Sequence, residues 1–159
     1  MEENLDLSTR PGTHLLQEVE VVYKPGKRLS TAPRIMNSGD AYHYIRGFFA
    51  PFVSHHEEVW AILLNSGHRI IGCSQIAKGG IDCTTVDVRI IFQTLLLTHA
   101  TGLILVHNHP GGATRPSVQD KMLTDKVAKA GKILDIKLLD HLIVTSENYL
   151  SFADEGILP

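Results

Sequence analysis

The spacing of hydrophobic and polar positions changes period several times along the chain, and each change predicts an element. Between residues 87 and 100, Val88, Ile91, Phe92, Leu95, Leu96 and His99 fall at helical spacing, which predicts a helix with one buried face. On that stripe His99 reads as a satisfied core histidine rather than a ligand. Residues 102–106 form an unbroken apolar run and predict a short buried strand. Residues 58–65 suit a strand, Asn65-Ser66-Gly67-His68 a turn with His68 at the surface, and residues 69–77 the hairpin partner. Residues 38–49 predict a helix capped by Ser38, with Ala41, Tyr44, Ile45 and Phe48 on one side. A further helix is predicted over residues 117–130, with Gly131 just past its end. Residues 137–139 and 142–145 carry the last strand character, on either side of Asp140-His141. Ahead of these, residues 18–23 (E-V-E-V-V-Y) read as a strand and residues 24–33 as a loop around Pro25-Gly26. Residues 1 to 15 read as a flexible polar segment, and 16–159 as a single domain.

Strands alternating with helices imply a layered α/β domain, with helices on both faces of a central mixed sheet. The chemistry gathers where the 102–106 strand ends. His107-Asn108-His109-Pro110 follows that strand, and a Gly-rich loop leads from it to Pro116-Ser117-Val118-Gln119-Asp120. Residues two apart on a strand point to one side, so His107 and His109 can aim both imidazoles at one point. A helix opening at Ser117 brings Ser117 and Asp120 together on its first turn. Two imidazoles and a carboxylate are the ligand set of a hydrolytic zinc site, with a fourth position left for water. Taken singly, Ser117-x-x-Asp120 could be only a capping box, and the two histidines only polar residues at a strand end. Joined by a loop containing Gly111 and Gly112, they make a strand–loop–helix unit with three convergent ligands, and the reading is a metal-hydrolase site binding one Zn2+ per chain.

H-x-H-x7-S-x-x-D resembles the motif of the JAMM (JAB/MPN+) metalloproteases, and the wider stretch is similar to the RadC-like branch of that superfamily. The resemblance covers residues 57–158 and also rests on Glu58-Val59-Trp60, Gly79-Gly80, the helix beginning near Asp87, Asp140-His141 and Ser151-Phe152-Ala153. The chain departs from the usual pattern at Gly111, where Ser is frequent, and at Val88, where Pro is frequent. The resemblance implies a three-layer α-β-α JAB domain, similar to the cytidine-deaminase-like fold, and hydrolysis of a peptide or isopeptide bond in a peptide or protein substrate. A general base that is not itself a ligand is needed. Glu58 is the choice, because it opens an apolar strand and matches the strand-start glutamate that the resemblance implies. Glu57 is adjacent, and a slip of one residue would turn it to the other face. Ser117 could cap the helix and, as the resemblance implies, donate a hydrogen bond to a developing oxyanion. Asp140 and His141 are candidates for a pair supporting the ligands from behind, or for a purely structural hydrogen bond.

Composition sets the remaining bounds. The net charge is −2 and the pI about 6.5, without a dense basic run, so the footprint of a strong nucleic-acid binder is missing and direct nucleic-acid binding is weakly supported. Lys121, Lys126, Lys129 and Lys132 read as a solvated helix face. Cys73 and Cys83 form no C-x-x-C pair and read as small buried hydrophobes in a reducing compartment. No apolar run reaches spanning length and no signal-peptide pattern opens the chain, so a cytoplasmic protein without membrane partners is expected. The chain also looks too short in front for the helix-hairpin-helix module of longer RadC-like proteins. A nucleobase deaminase would carry H-x-E and P-C-x-x-C, which are missing. H-E-x-x-H is missing too, and His-Asn-His in a row is not the dispersed set of an HNH nuclease. The rival from another class is a metal-stabilised binding or adaptor module working with DNA-processing proteins in repair or mobile-element biology.

Overall fold

A computed structural model describes residues 31–50, 53–79 and 85–159. The strand expected over residues 18–23, most of the following loop, Gly80 and Cys83 lie outside these residues. Helix α1 spans Ser38–Phe49, β1 Glu58–Leu64, β2 Ile70–Lys78, α2 Val88–Leu97, β3 Gly102–Asn108, α3 Val118–Ile133, β4 Lys137–Val144 and β5 Tyr149–Ser151. The strands form one open mixed sheet in the order β2-β1-β3-β4-β5. Among the described residues its one parallel pair is β3 with β4, joined through α3. The α/β architecture is therefore the expected one, with a core on each face of the sheet.

Strand alternation sorts those cores. Val59, Ala61, Leu63, Leu103 and Leu105 point to the side covered by α2 and α3, where they meet Ile91, Phe92, Leu95 and Val127. Ile62, Leu64, Ile104, Val106 and Leu142 point the other way, onto Ala41, Ile45 and Phe49 of α1. Two cores separated by a sheet give three layers, α-β-α. The hairpin turn is held by Asn65, whose Oδ1 accepts from the backbone N–H groups of Gly67 and Arg69, both at 2.9 Å. His68 is exposed in that turn, with φ 58°. Among the described residues no helix is long and apolar enough to cross a membrane. Cys73 is a free, half-buried thiol packed toward the α1 face.

Several boundaries differ from the sequence expectation for local reasons. Asn37, not Ser38, caps α1, its side chain accepting from Asp40 N, while the Ser38 hydroxyl faces Tyr149 and Asp154. Phe49 rather than Phe48 fills the α1 core, and Phe48 packs its ring 5.2 Å from that of Trp60. Helix α2 stops at Leu97 because His99 adopts φ 55° and the Ala100 N–H bonds back to Leu95 O, closing a Schellman turn. His99 and Leu96 are consequently exposed, not part of the core. Helix α3 runs through Gly131 to Ile133 and ends in a second Schellman turn, with Asp135 at φ 56° in the left-handed position expected of Gly131. Gly131 is required for another reason: a Cβ there would run into the carbonyl oxygen of Ile136. Asp140 and His141 interrupt nothing, and β4 passes straight through them.

Candidate metal centre

Strand β3 runs two residues further than its apolar stretch, so His107 is a buried strand residue, only 2% exposed. It follows Leu103 and Leu105 in the alternation and so faces α3. His109 lies just past the strand, its backbone N–H bonded to Val144 O at 2.9 Å. Its Nδ1 is 2.6 Å from the Ala113 carbonyl oxygen. A carbonyl can only accept, so Nδ1 carries the hydrogen and the Nε2 lone pair of the neutral ring is left facing His107. The loop with Gly112 at φ 79° thus closes back on the imidazole it follows.

Ser117 caps α3 in a reciprocal box: its hydroxyl accepts from Asp120 N at 3.0 Å, and its own N–H donates to Asp120 Oδ2 at 2.7 Å. The box and the metal group are one structure, because the same carboxylate turns Oδ1 to His107 Nε2 at 3.1 Å and Oδ2 to His109 Nε2 at 3.5 Å. The two Nε2 atoms are 2.9 Å apart. Ligand bonds of about 2.0–2.1 Å around a tetrahedral ion set the ligand atoms about 3.3 Å from one another. His107, His109 and Asp120, the only such group among the described residues, therefore fit one divalent ion.

The charges respond as a coupled set. Burial pushes the Asp120 carboxyl up, but the adjoining His107 and His109 rings and the Ser117 N–H outweigh it and hold the group far below the usual carboxylate range. The Asp120 hydrogen bond raises His109, against the opposing effect of burial. The sign of each contribution to stability follows. The raised His109 stabilises the metal-free fold below its unfolded value of about 6.5, and this is lost as pH rises through its folded value. The lowered Asp120 stabilises above about 3.8, and this is lost as pH falls through its folded value. A metal ion must displace the His109 proton, so affinity is expected to climb by up to about tenfold per pH unit below that group's folded value. Competition with a chromophoric chelator at a series of pH values checks this. Affinity that stays flat through the histidine range would remove His109 from the ligand set.

Glu58 and Glu57 divide between the two faces. Val59 pairs with His107 and points with it toward α3, so the alternation turns Glu58 to the α1 face and Glu57 to the His107 face. Glu58 is buried, with Oε1 2.7 Å from His56 Nε2 and Oε2 accepting from Trp60 Nε1 at 2.9 Å. Burial raises its carboxyl, but the hydrogen bonds from His56, Trp60 and Gln75 bring it below the usual value. The structure thus does not bring Glu58 to the ligands. Glu57 carries the ladder one step past β1, its carbonyl accepting from Gly79 N at 2.8 Å. Burial raises its carboxyl, while His107 and His109 pull it down and Asp120 pushes it up. The acid that senses the three ligands is Glu57.

The expected Asp140–His141 pair also splits across the sheet. Asp140 accepts from His141 N at 2.7 Å, Ser151 Oγ at 2.6 Å and Ala153 N at 3.0 Å, which ties down the C-terminal turn. His141 alone backs the site, its Nε2 2.8 Å from His107 Nδ1, with the Phe152 ring stacked on it at 4.7 Å. Two residues the sequence reading passed over complete the surroundings. Thr124 Oγ1 lies 2.7 Å from His141 Nδ1. Asn108 bonds three backbone groups of the segment that leads into β1. Thr124 is four residues past Asp120, a spacing that puts both on one helix face and could have pointed to it. Gly111 has open space where a Cβ would stand, and Val88 sits in the core, so the two departures from the family pattern leave the ligands untouched. The four lysines of α3 are exposed, and Lys129 pairs with Asp125 at 2.7 Å.

These features define a mixed-sheet α/β domain with a candidate His-x-His-plus-Asp metal centre at the end of a buried strand. The RadC-like JAB domain family matches residues 35–157, and the chain belongs to it. A UPF0758 protein of Flavobacterium johnsoniae is 48% identical over 124 residues, covering 78% of this chain and 53% of the relative. A UPF0758 protein of Porphyromonas gingivalis is 40% identical over 135 residues, covering 84% and 59% respectively. One from Thermotoga maritima is 38% identical over 102 residues, covering 64% and 46%. The chain spans about half the length of the curated relatives it matches.

Proposed function

We propose that this domain is a zinc-dependent hydrolase that cleaves an amide bond, peptide or isopeptide, in a peptide or protein substrate. The observation that carries the reading is the meeting of His107, His109 and Asp120 at one point, with Glu57 on the same face of the sheet. A zinc ion held there would polarise the scissile carbonyl and lower the pKa of a water to about 7. Glu57 takes that water's proton and returns it to the leaving amine, a role suited to a carboxyl raised by burial. The Ser117 hydroxyl, accepting from Asp120 N, keeps its own hydrogen to donate to the developing oxyanion. The buried face of the sheet and α3 keep solvent from the back of the ligands. We place the protein in the cytoplasm, a setting that suits the free Cys73 thiol.

The reading is tested first by metal content per chain, measured by elemental analysis on protein prepared without chelators. About one zinc in the wild type, lost in His109→Ala, is the expected result, and a screen of peptide and isopeptide substrates then reads turnover. No metal after reconstitution with zinc would overturn the hydrolase reading. Metal retention without turnover on any amide substrate would favour an adaptor role beside DNA-processing proteins.

A further inference from the structure

His107, His141, Thr124 and Asp120 form an unbroken buried chain of contacts behind the metal centre. His107 Nδ1 is 2.8 Å from His141 Nε2, His141 Nδ1 is 2.7 Å from Thr124 Oγ1, and Thr124 Oγ1 is 2.6 Å from the Asp120 carbonyl oxygen. His141 is fully buried, and Thr124 is 1% exposed. Counting hydrogens fixes the direction of the whole chain. Two oxygens 2.6 Å apart need a hydrogen between them, and the carbonyl has none, so the single Thr124 hydroxyl hydrogen points at Asp120 O. The side of Oγ1 facing His141 is then a lone pair, so His141 Nδ1 carries a hydrogen and donates. A neutral ring has one N–H, so His141 Nε2 is a lone pair and accepts from His107 Nδ1–H. The His107 hydrogen is thereby held at Nδ1, and Nε2 is left free toward Asp120 and His109.

We propose that Thr124 is a positioning residue for the metal centre: through His141 it locks His107 in the tautomer whose Nε2 lone pair can bind an ion. The inference rests on the metal-site reading for its consequence and on the buried hydrogen-bond chain for its cause. Neutral imidazole, not a carboxylate or backbone carbonyl, is the group on which the ligand histidine leans. An imidazole can accept or donate at the same nitrogen, so the direction is set at the ends of the chain, and Thr124 at the inner end opposes the pull of the Asp120 carboxylate, 3.1 Å from His107 Nε2, for a hydrogen on that atom. Replacing Thr124 with Val leaves a methyl group opposite His141 Nδ1. The His141 hydrogen then gains a partner by moving to Nε2, where it donates to His107 Nδ1. That drives the His107 hydrogen onto Nε2, the atom the ion needs. Metal binding must reverse both shifts and leave the His141 Nδ1–H without a partner in an apolar pocket.

The test compares wild type, Thr124→Val, Thr124→Ala and Thr124→Ser in two measurements. Long-range nitrogen–proton NMR of the imidazoles in metal-free protein reads the tautomers directly, without metal or turnover. Wild type and Thr124→Ser are expected to show His107 protonated at Nδ1, and the Val and Ala variants to show it at Nε2. Zinc affinity by chelator competition is expected to fall about 10–100-fold for Val and Ala and to return to within a few-fold of wild type for Ser. Unchanged tautomers in both the Val and Ala variants, or a Ser variant as weak as Val, would overturn the proposal. Wild-type protein with the expected tautomers but no affinity for zinc would overturn the metal-site reading and leave the hydrogen-bond chain standing. Thr124→Ala, which leaves room instead of a methyl, gives a second measurement if the Val variant does not fold.

Discussion

Glu57→Gln is expected to lower amide hydrolysis by about 10²–10⁴-fold while leaving one metal ion per chain. The amide of Gln keeps the shape of the side chain but cannot take a proton. Because Glu57 is not among the three converging ligands, metal content has no reason to change. Glu58→Gln should give the opposite pattern. Its carboxylate is held by His56 at 2.7 Å and Trp60 at 2.9 Å on the far face of the sheet, with Lys78 at 3.8 Å. Loss of charge there removes charge-assisted bonds and should cost about 1–3 kcal/mol of stability, with turnover of the folded protein unchanged. Parallel measurement of turnover, metal content and urea unfolding on the two variants separates these outcomes. Turnover that survives Glu57→Gln and disappears in Glu58→Gln would return the base to Glu58. Metal loss in Glu57→Gln would make Glu57 a ligand.

The two acids also show where the sequence stops being informative. The His107, His109, Ser117, Asp120 unit was legible because its members sit within one strand–loop–helix passage, where local spacing sets geometry. The helices and strands were legible because one-sided burial leaves a period in the sequence, as in Val88, Ile91, Phe92 and Leu95. Face assignment at the mouth of β1 is a different problem. Two consecutive glutamates carry no contrast, and only pairing of Val59 with His107 tells which one shares the ligands' side. The partner of His107 was half legible: His141 was named with Asp140, but which of the two backs the site was not. Asp140 and His141 are adjacent, but β4 is continuous through them, and alternation sends them to opposite faces. Thr124 meets His141 only because α3 folds back over β4, a contact across 17 residues that no local period records. Helix ends failed for a subtler reason. A glycine near a predicted terminus suggests a left-handed cap, yet Gly131 answers to the Ile136 carbonyl and Asp135 takes the cap.

Asn108→Ala is expected to cost about 3–5 kcal/mol of stability and to lower turnover in the protein that remains folded. Asn108 stands between the two ligand histidines, so alternation points it away from them, into the α1 side of the sheet, where it is completely buried. There its Oδ1 accepts from Glu58 N at 2.8 Å, and its Nδ2 donates to Val53 O at 2.9 Å and His56 O at 2.8 Å. One side chain thus pins the backbone on both sides of Glu57 to the strand that carries the ligands. Alanine leaves a buried N–H and two carbonyls without that partner, at about 1–3 kcal/mol each and less than additively. Asp should do no better. It can accept from Glu58 N, but its carboxylate faces the two carbonyl oxygens it would have to donate to. Metal content should hold in both variants, since the ligand side chains are on the other face. The residual turnover should fall because Glu57 is no longer held at a fixed distance from the reacting water. Urea unfolding, metal content and turnover on the two variants read these separately. An unfolding free energy within 1 kcal/mol of wild type would show that this anchor is not what fixes the segment, and the base would then have to be positioned by β1 alone.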